Sequence, residues 1–253
     1  MSNLVPKSDL RKVFLRSFTI QATWNYKSLI GMGFAYCMIP IAKRLFHTPE
    51  ERSAFLRRHL EFFNSHPYFT GWCLGAVVRL EEEAAAAQKT QKEQISLFKQ
   101  QMSGPLGSLG DQLFWSRWKP LTSAAALCIA LLFGWIAVPI YLLVYNIPHL
   151  FARYYGMKKG YERGFNVIEV LTKLPFGKIT SLLSGIGIMV AGFLTILAAD
   201  WCLAKNEDFV LFIVFWCCFA AASILVILRR SVHFILLTVL AVSLLVGLLF
   251  SVY

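Results

Sequence analysis

Residues 121–150 read LTSAAALCIALLFGWIAVPIYLLVYNIPHL, and how that run sits in a bilayer decides the fold. It contains no Asp, Glu, Lys or Arg, and it is uncharged if His149 is neutral. Thirty residues are long for one crossing of ~30 Å of hydrocarbon and short for two. Gly134, Pro139 and Pro148 interrupt the run, so a broken or tilted helix is expected rather than one straight rod. Downstream, residues 179–199, 209–228 and 232–253 also lack charged side chains, and each is about the length of one span. Upstream stands MSGPLGSLGDQLFW at 102–115, with Gly104, Gly107, Gly110, a proline and the single acid Asp111. Two readings of it stand side by side. In one it is a re-entrant turn with Asp111 facing a polar cavity; in the other it is a surface linker with Asp111 as turn residue or N-cap.

Composition agrees with a membrane protein. The 253 residues are 57% hydrophobic and 15% charged, against about a quarter charged in soluble domains. The net charge of +11 would suggest nucleic acid in a soluble chain, but no basic domain stands apart from the apolar segments, so no nucleic-acid partner is expected. Six cysteines (37, 73, 128, 202, 217, 218) lie mostly inside apolar segments, with no Cys-x-x-Cys and no Cys/His cluster at zinc spacing. They read as small apolar residues, and neither a metal nor a cofactor is expected. No cleavable signal peptide is visible in the first forty residues.

Charge sets the orientation. Arg153, Lys158, Lys159, Arg163, Lys173 and Lys178 fall in 151–178, and Arg229 and Arg230 between the last two runs, whereas 200–208 holds Asp200, Glu207 and Asp208 against Lys205. The positive-inside rule places the 151–178 loop in the cytoplasm and the C-terminus outside. Within 179–199, Ser181 with Gly185 and Gly187 with Ala191 form small-xxx-small pairs that let another backbone approach.

The N-terminal half is more broken. Residues 28–46 are apolar, interrupted by Gly and Pro, and end in Lys43 and Arg44; residues 67–80 are apolar but too short to cross. Between them, TPEERSAFLRRHLEFF predicts a helix with Thr48 as N-cap, Pro49 at the first helical position and Glu51 as the capping-box partner. Phe55, Leu56, Leu60 and Phe63 recur at helical spacing, which suggests an amphipathic helix at an interface. Residues 79–101 read as one long polar helix facing solvent. The expected fold is thus an all-α integral membrane protein with several transmembrane helices, re-entrant or broken helices and interfacial amphipathic helices. An N-terminal region with interfacial and re-entrant helices, 1–120, precedes a transmembrane helical region, 121–253, the two forming a single domain.

Five stretches, in order, resemble one family. They are QATWNYKSLIGMGFAYCMIP (21–40), RRHLEFFNSHPYF (57–69), GAVVRLEEE (75–83), MSGPLGSLGD followed by FW, and RYYGMKKGYERG (153–164). They are similar to motifs of the IID membrane subunit of the mannose-type permeases of the bacterial phosphoenolpyruvate-dependent sugar phosphotransferase system. The family turn usually continues Asp-Pro, whereas here Gln112 follows Asp111; the family's Asn-Thr is Asn64-Ser65. The resemblance implies a multi-pass protein of the bacterial plasma (inner) membrane that pairs with a IIC membrane subunit to form a pathway for a hexose or related sugar. Cytoplasmic IIA and IIB subunits would carry the phosphoryl group on histidines, so no phosphorylated or catalytic residue is expected here. The alternative is a non-transporting membrane scaffold or sensor derived from the family.

On that footing Asp111, Trp115, Glu81, Glu82, Asn64 and His66 are candidates for the sugar pathway, since carboxylates and amides bind hydroxyls and aromatic faces stack on pyranose rings. Glu81 and Glu82 read equally as a solvated helix start. Trp24, Asn25 and Tyr26 are candidates for a partner interface or for interfacial anchoring. Lys158, Lys159 and Arg163 are candidates for docking an acidic face of IIB, or for topology signals touching anionic membrane lipid. The histidines at 47, 59, 66, 149 and 233 are expected to be structural; His59 and His66 would share a helix face only if a helix ran through Pro67.

Overall fold

The structure, a computed structural model, describes residues 4–88 and 91–205, with 216, 219, 220, 237, 238 and 241 beyond them. The expected spans at 209–228 and 232–253, the arginine pair between them and His233 otherwise lie outside the described residues. Among the described residues the regular structure is helical, and β pairing is limited to two isolated bridges, Asn25 with Leu29 and Leu29 with Phe63.

The buried centre is α4, Thr70–Ala86. Trp72, Cys73, Leu74, Ala76, Val77, Val78 and Leu80 are all at most 2% exposed, so this helix is apolar on every side because other helices cover every side. That accounts for an apolar run too short to cross: it is a core helix. The expected solvent-facing helix over 79–101 does not form. Arg79–Ala86 completes α4, the chain leaves the helix at Ala87 and Gln88, and α5 begins only at Lys92. Gln88 adopts φ +50°, a left-handed geometry suited to ending a helix.

Around α4 pack α1 (Lys7–Arg16), α2 (Gly31–Leu45), α5 (Lys92–Gly110) and α7 (Ala137–Arg163). Among the described helices, α4 and α7 share the most extensive contact. A Cβ on Gly75 would overlap the Met157 carbonyl and the Tyr161 amide; one on Gly160 would overlap the Trp72 carbonyl and the Ala76 amide. Two glycines facing each other bring the backbones together, as in small-xxx-small packing between membrane helices.

Helix α3, Pro49–His59, has the expected capping box: Glu51 N–H donates to Thr48 Oγ1 at 3.2 Å, and Thr48 N–H donates to Glu51 Oε2 at 3.2 Å. Its apolar side is turned inward. It packs on α2, with Phe55 and His59 buried, and it ends before Leu60, leaving that side chain 42% exposed.

Residues 102–115 form neither a turn nor a linker. Helix α5 runs to Gly110, a π-helical segment covers Asp111–Trp118, and α6 follows directly over Lys119–Phe133. The residue-120 boundary therefore falls within continuous helix. The 121–150 run is likewise not one broken helix but a hairpin. Gly134, at φ +67°, reverses the chain, and α7 continues through Pro148. Pro139 sits in the first turn of α7, where its missing N–H costs nothing. The apolar legs, 121–133 and 137–152, are about 20 and 24 Å long at 1.5 Å per residue, short of a full ~30 Å crossing. The tip of the hairpin exposes Phe133, Trp135 and Ile136.

Among the described residues, two stretches are long and apolar enough to cross a membrane: Lys92–Lys173, which contains the hairpin, and Phe176–Trp201. The latter belongs to α9, Phe176–Lys205, which packs along α6 and exposes Leu182, Ile188, Met189 and Ile196. The 151–178 segment is not a loop but the end of α7, a short α8 (Val167–Lys173) and the start of α9. Gly185 and Gly187 meet no described atom within 4 Å of a Cβ position.

Candidate functional site

The loop between α3 and α4 holds the polar centre at the base of the hairpin. Phe63 ties it to the preceding loop through Ile30 N–H to Phe63 O (3.1 Å) and Phe63 N–H to Ser28 O (3.2 Å). The Asn64 amide donates to Ser103 Oγ at 3.1 Å, and the Ser103 hydroxyl donates to the Asn64 carbonyl. The His66 carbonyl then accepts from Phe69 N–H, Thr70 N–H and the Thr70 hydroxyl, which starts α4.

The His66 side chain is 1% exposed. Its Nδ1 accepts from Tyr68 N–H at 3.2 Å, so the proton of the neutral ring lies on Nε2, which has no hydrogen-bond partner among the described residues. Burial, then the charge of Arg153 and the nearby His149, push its pKa down to about 4. The ring stacks on Phe114 at 5.6 Å and meets Trp115 and Tyr68 edge-on at 4.8 Å.

Helix α7 supplies the other wall. His149 stacks on Tyr68 at 4.3 Å and donates from Nε2 to Asn146 Oδ1 at 2.7 Å, and the Tyr68 and Tyr145 hydroxyls lie 3.1 Å apart. Arg153 donates to the Ser17 carbonyl at 2.8 Å and lies over Tyr68 (4.9 Å) and Phe18 (5.1 Å). His149 Nδ1, Arg153 Nε and Ser65 Oγ are, like His66 Nε2, without partners among the described residues. The cluster thus combines unmatched donors and acceptors with three aromatic faces, a chemistry suited to hydroxyl groups on a partly apolar ring.

The π segment sets this geometry. Its wider turn brings Phe114 and Trp115 to one side together, and Trp115 remains 49% exposed. Gly110 lies directly on the imidazole, where a Cβ would collide with the His66 side chain. Of the three glycines before the apolar run, Gly110 is required by contact, whereas Gly104 meets nothing. Asp111 is exposed, one residue further on. His66 and Trp115 therefore meet, with Asn64 two residues before His66 and Asp111 one residue after Gly110.

Glu81 and Glu82 lie elsewhere, and neither begins a solvated helix: both are 3% exposed in the second half of α4. Glu81 accepts from Arg58 (2.6 and 3.1 Å) and from His59 Nε2 (3.1 Å). Burial alone would raise its pKa, but these bonds and charges outweigh burial and hold it below the usual value. Glu82 accepts from Val5 N–H at 2.7 Å and the Tyr161 hydroxyl at 2.6 Å, which fastens the N-terminal arm and α7 to α4.

Asn25 is the frame of its loop. Its Oδ1 accepts from Lys27 and Ser28 N–H, and this frame presents Trp24 (48% exposed) and Tyr26 (90% exposed) outward as an edge-on pair. Lys158 and Lys159 pair with Glu162 at 4.0 and 2.7 Å, and Lys159 and Arg163 line a groove with Lys173 and Glu169. In the sequence Arg153 reads as an orientation signal and His149 as structural, and nothing marks Tyr68 or Tyr145. The usable signal was an ionisable His149 within an apolar run.

A family profile described as "PTS system mannose/fructose/sorbose family IID component" matches residues 4–205. The chain is 33% identical over 189 residues to the PTS system mannose-specific EIID component of Escherichia coli (strain K12), covering 74% of this chain and 67% of that protein. It is 33% identical to the fructose permease IID component of Bacillus subtilis (strain 168), with 74% and 68% covered. With the PTS system sorbose-specific EIID component of Klebsiella pneumoniae it shares 32% over 190 residues, with 75% and 69% covered. A solved structure titled "Structure of membrane protein" matches with TM-score 0.69 and 33% identity over 75% of this chain and 70% of that one. A cryo-EM structure of the mannose transporter ManYZ in complex with microcin E492 matches over 95% of both chains, with TM-score 0.61 and 25% identity.

Proposed function

The chain belongs to the mannose/fructose/sorbose family of IID components of the sugar phosphotransferase system, and from that premise we propose that it forms a sugar pathway together with a IIC membrane subunit. Cytoplasmic IIA and IIB subunits phosphorylate the sugar as it arrives, and the complex sits in the bacterial plasma membrane as a multi-pass assembly. The observation that supports this reading is the cluster of His66, Trp115, Tyr68, His149 and Arg153, unmatched hydrogen-bonding atoms beside aromatic faces at the base of a re-entrant hairpin. Irregular helix at such a depth is tolerated where it serves a polar route.

The one sequence feature that favours a non-transporting scaffold is Gln112, which stands where the family has proline. No turn exists there to be altered: Gln112 lies in the π segment and its side chain donates to Ser108 Oγ at 3.0 Å.

The first test is purification of the tagged chain in mild detergent from its native cell, with mass spectrometry of its companions. Stoichiometric IIC with some IIB is expected; IIC without IIB would favour the scaffold, and neither would overturn the proposal. Trp115→Ala and Asp111→Asn should each lower phosphoenolpyruvate-dependent uptake at least about tenfold, with IIC association intact, as loss of a stacking or charged contact worth ~1.4 kcal/mol would give. Wild-type uptake in both would remove them from the pathway. Lys158→Glu with Lys159→Glu should weaken IIB capture by the purified membrane complex at least about tenfold at low salt and less at high salt. Unchanged capture would leave these lysines a topological role only.

A further inference from the structure

Helices α1 and α2 lie antiparallel, and between them runs a groove of about 350 Å³ lined by Asp9, Lys12, Arg16, Ile39, Lys43 and Arg44, among others. Four cations face one acid. Asp9, 3% exposed, binds Lys12 and Arg44, both at 2.8 Å, and Arg16 donates to the Tyr36 carbonyl at 3.0 Å while lying over the Tyr36 ring at 4.4 Å. Lys43 is exposed and has no ion-pair partner among the described residues. The groove therefore keeps a surplus of positive charge that no side chain in it offsets.

The chemistry changes along its length. On α2, Met32, Tyr36, Ile39 and Lys43 follow at four-, three- and four-residue steps and so share one helix face. Met32 and Tyr36 are 45% and 43% exposed. An exposed apolar strip thus leads into a cationic end.

The strip also has a direction relative to the membrane. Arg153, where the apolar leg of α7 ends, bonds the Ser17 carbonyl at the end of α1. Val5, just before α1, is held by Glu82, which also binds Tyr161 two turns further along α7. The Asp9–Arg44 end accordingly lies away from the apolar leg, towards the basic end of α7. The Tyr36–Arg16 end lies towards the apolar boundary.

From this order we infer that the α1–α2 groove is a binding site for an anionic phospholipid, with its phosphate at Lys12, Lys43 and Arg44 and its acyl chain along Ile39, Tyr36 and Met32. A soluble phosphate would have no use for the apolar strip. An acidic protein face would be drawn to the charge but would not match the neighbouring acyl-compatible surface.

Native mass spectrometry of the full chain in its purified membrane complex, delipidated and titrated with phosphatidylglycerol or phosphatidylcholine, tests the site. Phosphatidylglycerol should bind in preference, and Lys12→Gln with Lys43→Gln should weaken it by roughly fivefold per lysine, about 25-fold together. Lys43→Gln alone, which breaks no ion pair, should give the single fivefold step and controls for misfolding. Equal binding of both lipids, or an unchanged affinity in the Lys12/Lys43 variant, overturns the assignment. Displacement of the lipid by millimolar inorganic phosphate would make this a soluble-anion site and overturn it as well. So would capture of an acidic partner subunit that depends on Lys12 and Lys43 while lipid binding does not.

Discussion

Gly160→Leu and Gly75→Leu should each leave little or no monodisperse protein after extraction, whereas Gly185→Leu and Gly187→Leu should be recovered like the parent. The difference lies in what a side chain would meet. At Gly160 even a Cβ overlaps the Trp72 carbonyl and the Ala76 amide, and at Gly75 the Met157 carbonyl and the Tyr161 amide. These are backbone atoms of the facing helix, which cannot rotate aside, so the helices must separate along their whole contact. Overpacking in a well-packed core costs about 1–3 kcal/mol for a few added methylenes, and a helix displacement exceeds that. Separating α4 from α7 would also loosen the Glu82–Tyr161 bond and the Trp72 packing, so losses would compound. Gly160→Ala should give a partial loss, a fall in apparent melting temperature of several degrees followed by fluorescence-detected size exclusion. A neutral Gly160→Ala would mean the crossing is looser than described here.

That contrast shows what the sequence displayed and what it hid. The small-residue pairs at Ser181–Gly185 and Gly187–Ala191 were visible because they sit in an uninterrupted apolar run. Glycines that meet another helix, such as Gly75 and Gly160, lie in motifs whose neighbours include Arg79 and Lys158, so their spacing did not stand out. Capping chemistry was legible because it is local: Thr48, Pro49 and Glu51 define the start of α3 within four residues. The hairpin was half legible. Gly134 marked the interruption, but whether the chain bends or reverses depends on α7 finding α4, a contact far away in sequence. The π segment was not legible, since no residue pattern distinguishes its hydrogen bonding from an α-helix. Of the candidate pathway residues, His66 and Trp115 meet because Gly110 lets them, and the glycine was noticed without its partner. Glu81 and Glu82 looked like a surface run because three acids in a row usually are one. Here only Glu83 is substantially exposed, and it pairs with Arg79 at 2.7 Å.

Glu81→Ala is expected to be as damaging as any single change in the chain, by a different route. The carboxylate is the counter-charge for Arg58 and the acceptor for the buried Nε2–H of His59; its removal leaves a guanidinium partly buried without its partner and an imidazole with no hydrogen bond at either nitrogen. Breaking one side of a buried ion pair costs about 3–5 kcal/mol, which here corresponds to a fall of roughly 10 °C in apparent melting temperature. Glu81→Gln keeps an acceptor for His59 but not the charge, so it should lose less. Adding Arg58→Gln to Glu81→Gln should restore part of the loss, because the unmatched charge goes with it; no recovery in the double variant would show that Arg58 is stabilised by solvent and not by Glu81.

The same pair sets an acid limit. His59 is held at about 4 against an ordinary 6.5, first by burial, so the unfolded ring takes up a proton between pH 6.5 and 4 that the folded ring refuses. Stability from this group is fully present above 6.5 and declines as pH falls towards 4, by up to ~1.4 kcal/mol per pH unit for one proton. Glu81 acts with the same sign lower down, since its depressed pKa gives stability that is present above 4.5 and lost as pH falls through its folded value. His66, also held at about 4, adds to the decline between 6.5 and 4. Melting temperatures of the purified complex should therefore drop from pH 7 to pH 5, and His59→Gln should have a visibly shallower slope over that interval whatever its stability at pH 7. An identical slope would mean that His59 takes up its proton equally in the folded and the unfolded chain, so that burial does not hold its pKa down.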